Sequence, residues 1–340
     1  MGTVDEDAPD GGPRGADPAT AFLPDRTALL VIDPVNDFLS EGGADWDMTR
    51  STVEKHDVVG HLRRAIHGAR RHGVPVLFGP MAFTAEDYAD AQLQRRSGIN
   101  RMMFERRMFL AGSWGADFHP DLQPQQGDVV LLPHKGVDVF QSDLPEHLER
   151  LGTTHLVIAG MTANLCCEST GRHAMERGYD VTFLRDAIGA DTVAAYEVAV
   201  RLNYPLIGNG VLTVVEFLDA LADGPRLPRK GDAVVGSDRL RIGTLKQVVP
   251  ATGDKPAHLI VRRSLRRSVH IPLDAVARVL HRRVVVNVPR LFVAKMGWQQ
   301  PPSEAFSRSK LGPPAAEVDA LYRSQQPSLL QDGPASDRRA

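Results

Sequence analysis

The feature that most constrains this chain is an alternation of short apolar runs with stretches of helical spacing. ALLVI (28–32), VPVLF (74–78), DVVLL (128–132), HLVIAG (155–160) and YDVTFL (179–184) each have the length and aliphatic character of a strand. The first reads as a buried strand that stops at Asp33-Pro34, because Pro34 cannot continue a hydrogen-bonded ladder. Between the runs, residues 51–72 carry Val58, Leu62, Ile66 and Ala69 at helical spacing, with Gly73 where a C-terminal cap glycine belongs. Further helices are expected near 143–151 (to Gly152), 165–177 (to Gly178) and 192–202, and LTVVEFL (212–218) reads as a last strand. Strands alternating with helices specify an α/β fold with a mainly parallel sheet and crossover helices.

In such sheets chemistry collects at the carboxyl ends of the strands. Asp33 lies just past the first strand, Lys135 just past the third, and Cys166 just past the fourth on the turn into a helix. Three chemically suited residues at three strand ends make this edge the candidate active site.

Cys166 sits in GMTANLCCESTGRHAMERGY, in what should be a first helical turn. There the unpaired amides and the positive end of the helix dipole are expected to lower a thiol pKa and to hold a developing oxyanion. The plain alternative is a small buried hydrophobe. Cys167 fits that alternative, since one step along a helix turns its side chain about 100° away. Asp33 is either a turn or cap aspartate or a base beside the thiol. Lys135, in LLPHKGVDVF, is either a solvated lysine or a cation that stabilises the thiolate and Asp33.

Adjacent cysteines bridge poorly, and Cys166 and Cys167 are the only two, so no disulfide framework exists and a reducing, cytoplasmic setting is expected. The start of the chain is acidic and lacks the basic and apolar regions of a signal peptide, and no apolar run approaches the ~18 residues of a membrane span. The net charge of −2 gives no global case for nucleic acid or membrane binding. Residues 1–22 read as a disordered leader, 23–222 as the catalytic domain and 223–230 as a linker rich in Gly, Pro and charge. Residues 231–291, with short alternating strands such as HLIVRR and RRVVVNVP, read as a small all-β unit, and 292–340 as a largely disordered tail.

ALLVIDPVNDFLSEGG, the segment from His134-Lys135 to Phe140, and GMTANLCCESTGRHAMERGYDVTFLRDAIGA resemble the three signature blocks of isochorismatase-like cysteine hydrolases, over about residues 24–222. The third block is the most specific, with its Gly-x-x-x-Asn-x-Cys-x-x-Ser-Thr pattern. The resemblance implies a Rossmann-like three-layer α/β/α sandwich and an Asp–Lys–Cys triad of Asp33, Lys135 and Cys166. It also implies a non-proline cis peptide between Met161 and Thr162, and an oxyanion hole from the Thr162 and Cys166 amides. By the implied mechanism Asp33 takes the thiol proton, the thiolate attacks a carbonyl, and water hydrolyses the thioester. The lysine block departs from the family pattern: the lysine usually stands about six residues ahead of its phenylalanine, with a small residue two before it. Lys135 is five ahead of Phe140, and Asp138 holds the small-residue position.

Members that use a metal carry Asp-x-His…His after the second strand. FGPMAFTAEDYADA has no histidine and His119 stands alone, so no metal or other cofactor is expected. Phe38, Arg106, Trp114 and Phe140 are candidates for substrate contact. NRMMFERRMFLAGSWG reads either as an anion-recognising lid or as a helix with a basic solvated face and a Met/Phe core face. The all-β unit resembles a PRC-barrel-like domain, a small barrel that usually serves interaction. Arg262, Arg263, Arg266 and Arg267 flank a hairpin there, either as a patch for a protein partner or as solvated strand faces. No interleaved aromatics favour single-stranded nucleic acid.

The expected reaction is cleavage of a C–N bond in a small amide or carbamoyl compound by a homo-oligomeric enzyme. An isochorismatase-type vinyl-ether hydrolase and a weakly active scaffold that binds a partner through its barrel are the alternatives.

Overall fold

The computed structural model describes residues 22–302, apart from 225, 253, 254 and 281; the expected tail lies mostly outside the described residues, as does the expected leader except Phe22, which is buried in the core. Six strands, β1 (Thr27–Ile32), β2 (Val76–Gly79), β3 (Val129–Val130), β4 (His155–Gly160), β5 (Asp180–Ile188) and β6 (Gly210–Leu212), form one sheet in the order β3-β2-β1-β4-β5-β6. Every pairing in it is parallel. β1 and β4 are buried along their whole lengths, as central strands between helical layers must be. The result is the parallel α/β sheet expected from the alternation, in the three-layer arrangement that the resemblance implies.

The order places the strand that leads to Asp33 directly beside the strand that leads to Cys166, with Ile32 opposite Gly160. Gly160 is obligatory at this point. Its φ is +116°, and a Cβ there would stand 1.9 Å from the Ile32 carbonyl oxygen. The Met161 amide then donates to that same carbonyl at 2.9 Å.

Two local differences from expectation have clear causes. The 51–72 helix is two helices, Trp46–Lys55 and Val58–Arg71, separated at Asp57, whose φ is +47°. Gly73 does turn left-handed after the second, with φ +71°. The expected strand 212–218 is only β6, because Thr213 and Glu216 form a reciprocal capping box that starts the helix Val214–Asp223. Apolar residues over a single turn did not distinguish the two periods; the Thr-x-x-Glu signal did.

β7 (Ala233–Val235), β8 (Arg241–Val249), β9 (His258–Arg262), β10 (Ser268–Pro272), β11 (Val276–Leu280) and β12 (Arg283–Val286) form a second, mixed sheet in the order β10-β9-β8-β7-β12-β11. Its own core includes Val234, Leu245, Val261, Ile271 and Val284. Val235, Leu280 and Val285 pack instead on the first core, and Arg283 pairs with Glu216 of the last helix at 2.5 Å. Among the described residues no helix is long and apolar enough to cross a membrane.

Candidate active site

Asp33 leaves β1 in a left-handed conformation, φ +49°, and is fully buried. Its amide donates to the Gly79 carbonyl at the end of β2, so the residue is locked between two strand ends. Its side chain caps nothing. Oδ1 stands 3.0 Å from His134 Nε2, while Oδ2 is buried with no hydrogen bond formed. Cys166 lies close enough that the Asp33 charge and its hydrogen-bonding pull both act on the thiol.

The lysine expected at this point is elsewhere. Lys135 Nζ reaches out to Asp87 and its side chain is about half exposed, whereas His134 is completely buried against Asp33. The reason is register. Past β3 the chain runs on alongside the end of β2, with His134 bridging Met81 and its amide bonded to the Pro80 carbonyl. That alternation turns 134 inward and 135 outward. The six-residue spacing ahead of Phe140 also lands on His134, so the signal was present in the sequence and the residue type concealed it. Asp138, at the small-residue position, caps the Phe140 amide and pairs with His173 at 2.7 Å.

Both nitrogens of His134 face acceptors, since Nδ1 is 2.6 Å from the Gly136 carbonyl. A neutral imidazole has one N–H, so only the imidazolium donates to both. Burial works against that charge, but the Asp33 carboxylate and the Gly136 carbonyl outweigh it, and the His134 pKa is raised.

Cys166 lies in a π-helical turn, Ala163–Cys167, that leads into the helix Glu168–Glu176. The turn is pinned by Ala163 N–H to the Gly189 carbonyl and by the Tyr204 hydroxyl to the Ala163 carbonyl, each 2.7 Å. The Met161–Thr162 peptide is cis. The Thr162 amide lies near enough to the Cys166 sulfur to favour its ionised form. The expected depression of the thiol pKa is not found. Burial first, then the Asp33 charge, push Cys166 well above the ordinary thiol value, and only the Thr162 amide opposes them. The resting sulfur is therefore a thiol near the Asp33 carboxylate, not a preformed thiolate. Cys167 is fully buried and does not line the cleft.

Cys166, Thr162 and Phe38 line a tight, mostly apolar cavity of about 20 Å³, room for one water. Met81, Met102, Met103 and Met108 form much of its remaining wall, and Asp45 and Asp191 border it without presenting polar surface to it. These methionines and two aspartates escaped the sequence reading. The other candidates for substrate contact are placed differently. Arg106 is held by Asp45 at 3.2 Å and Asp47 at 2.5 Å. Trp114 is half exposed on a short turn along a separate outer groove, and Phe140 stacks on His173 at 4.3 Å. Neither of those two belongs to the cavity wall. Among the described residues no group of three His, Cys, Asp or Glu side chains is placed to hold a metal ion.

A parallel α/β sandwich that brings a buried aspartate and a buried cysteine to adjoining strand ends is an α/β enzyme scaffold with its candidate chemistry at the carboxyl edge of the sheet. The isochorismatase domain model matches residues 27–213, and the chain belongs to the isochorismatase family. It is 32% identical over 218 residues to the ureidoacrylate amidohydrolase RutB of Serratia proteamaculans (strain 568), covering 60% of this chain and 86% of that one. It is 29% identical over 216 residues to the protein of the same name from Pantoea ananatis (strain LMG 20103), covering 60% and 85%. The crystal structure of a cysteine hydrolase from Pseudomonas syringae pv. phaseolicola 1448A superposes with a TM-score of 0.52 at 22% identity, covering 61% of this chain and 99% of that one, which supports the fold.

Proposed function

We propose that this protein is an amidohydrolase that cleaves the C–N bond of a small amide, ureido or carbamoyl compound through a thioester on Cys166. The observation that carries the reading is the Asp33 carboxylate, buried between His134 on one oxygen and Cys166 on the other side. The relatives named as ureidoacrylate amidohydrolases support the choice of a C–N bond.

The thiol is protonated at rest, so the first step is proton transfer from Cys166 to Asp33 as the sulfur attacks the carbonyl carbon. The negative charge passes to the carbonyl oxygen, which the Thr162 and Cys166 amides receive. Protonated Asp33 gives its proton to the leaving nitrogen, the C–N bond breaks, and the acyl group remains on sulfur. Asp33 then takes a proton from water, hydroxide attacks the thioester, and the thiol is regenerated as the acid departs. His134 keeps one carboxylate oxygen engaged throughout, which leaves the other to exchange the proton. In this reading His134 takes the place that the resemblance assigns to a lysine.

The second sheet is proposed to be a PRC-barrel-like unit that serves interaction. Its short strands and separate core support this, and its exposed Arg262, Arg263, Arg266 and Arg267 are available to a protein partner.

The test is turnover of a panel of primary amides, ureido and carbamoyl acids and isochorismate by wild type and Cys166→Ser. Release of ammonia or amine by wild type alone supports the proposal. Turnover of isochorismate that survives Cys166→Ser overturns it in favour of vinyl-ether hydrolysis.

A further inference from the structure

A groove of about 1020 Å³ runs between the helical stretch 193–207 and the second sheet, and it shares no wall residue with the Cys166 cavity. Leu202 and Leu206 line it from one side, and Leu240, Leu291 and Phe292 from the other. All four leucines are more than half exposed, so an apolar surface faces water. The two walls are fixed to each other. The Ser237 hydroxyl donates to the Pro205 carbonyl at 2.5 Å, and Glu216 draws in Arg239 at 3.7 Å as well as Arg283. A contiguous exposed apolar patch on built walls marks a docking surface.

Its charge is uneven. Arg201 is paired with Glu197, and Asp238 accepts from the Leu240 and Arg290 amides at 3.1 and 2.9 Å. Arg185 Nε, by contrast, is buried with no hydrogen bond among the described residues, and Arg239 shares the Glu216 carboxylate with Arg283. Burial first and then the Arg185 charge lower the Arg239 pKa, so the two guanidiniums feel each other. A buried guanidinium nitrogen without an acceptor is costly. The occupant should therefore bring carboxylates along with apolar side chains.

A second copy meeting this face across a twofold axis would set the same arginines on both sides. The chain itself carries a better match. Within residues 303–340, Ala315, Val318, Leu321 and Tyr322 fall at helical spacing between Pro314 and Pro327. At about 100° per residue these four share one face, Glu317 and Asp319 flank its two edges, and Arg323 falls outside it. The reach is sufficient. Phe292 and Pro302 are ten residues apart in sequence and so within about 35 Å, and the thirteen residues from Pro302 to Ala315 span up to about 45 Å. Such a tether supplies an effective concentration on the order of millimolar, enough for a short helix of marginal stability to dock.

We infer that residues 315–323 dock in this groove as a short amphipathic helix, with the apolar face on the exposed leucines and with Glu317 and Asp319 towards Arg185 and Arg239. The mode is helix-in-groove recognition, supplied by the same chain.

Hydrogen exchange of the full-length protein, read by peptide mass spectrometry, tests this. Amides of 315–323 are expected to exchange at least about tenfold more slowly than the same sequence as a free synthetic peptide. Val318→Asp with Leu321→Asp should abolish that protection, and Glu317→Lys with Asp319→Lys should lower it severalfold. Leu202→Asp and Leu291→Asp, each at an exposed position on a different wall, should remove it from the groove side. Exchange of 315–323 at the free-peptide rate in wild type overturns the inference. So does protection that survives in whichever of Leu202→Asp and Leu291→Asp keeps the wild-type far-UV circular dichroism. Protection that disappears on dilution to the monomer overturns it in favour of a contact between copies.

Discussion

His134 and Asp33 form a completely buried ion pair, Nε2 to Oδ1 at 3.0 Å, in which the second ring nitrogen is tied to the Gly136 carbonyl. A lysine offers the same charge without a titration near neutrality, whereas a histidine makes the pair sensitive to pH. The His134 pKa is raised, so the pair's contribution to stability and activity is complete below the ordinary histidine value, about 6.5, and is lost as pH rises through the raised value. The alkaline limb of kcat/KM should follow this loss. His134→Lys should move that limb to higher pH if the variant folds, and His134→Gln, which keeps one donor but no charge, should lower kcat/KM by about 10²-fold. A pH profile unchanged in both variants would remove His134 from the mechanism.

Lys135 is the contrasting case. Its partner is Asp87 at the surface, and exposed pairs of this kind contribute little. Lys135→Ala should leave kcat/KM within about twofold of wild type. A loss of two orders of magnitude, measured at saturating and limiting substrate, would restore the lysine to the role the resemblance assigns it.

These two neighbours show where the sequence was legible and where it was not. β4 could be read to the residue, because HLVIAG is apolar after His155 and ends at a glycine that its neighbour requires. Asp33 and Cys166 followed from that, since each lies just beyond a central strand. β3 is only two residues long, and beyond it the chain runs as isolated bridges. With so little ladder, pattern could not say which of His134 and Lys135 faces inward, and a one-residue shift exchanges the two faces. Asp45 and Asp191 were illegible for a different reason. They are brought to the cavity by loops 146 residues apart, joined through Thr52 and Ala190, and no local spacing encodes that contact.

The adjacent cysteines should behave oppositely. Cys166 lines the cavity, whereas Cys167 is fully buried outside its lining. Cys166→Ala should lower kcat by about 10³-fold or more. Cys167→Ala should retain most activity and lose about 1 kcal/mol of stability from the small void. Intact-mass spectrometry of rapidly quenched wild type and Cys167→Ala should reveal an acyl adduct that Cys166→Ala lacks. Equal activity loss in both variants, with equal loss of stability, would mean that the pair is structural.

Gly160 joins fold to chemistry, because it lets β4 close on β1 at the level where Asp33 and Cys166 begin. An alanine there would need a positive φ and would drive its Cβ to 1.9 Å from the Ile32 carbonyl oxygen, which is backbone in a buried central strand and cannot step aside. The strands must separate, and the carboxylate and the sulfur must separate with them. Gly160→Ala should therefore cost about 3 kcal/mol or more in thermal or denaturant unfolding, from strained backbone plus overpacking. At a temperature where the variant remains folded, its kcat should fall much further than its KM rises, since the damage lies between base and nucleophile and not in the methionine wall. Gly73→Ala supplies the comparison. It has a similar positive φ of +71°, but nothing lies within 4 Å of its Cβ, so it should lose stability without loss of kcat. If the two variants lost kcat alike, strand closure at Gly160 would not be what brings Asp33 to Cys166.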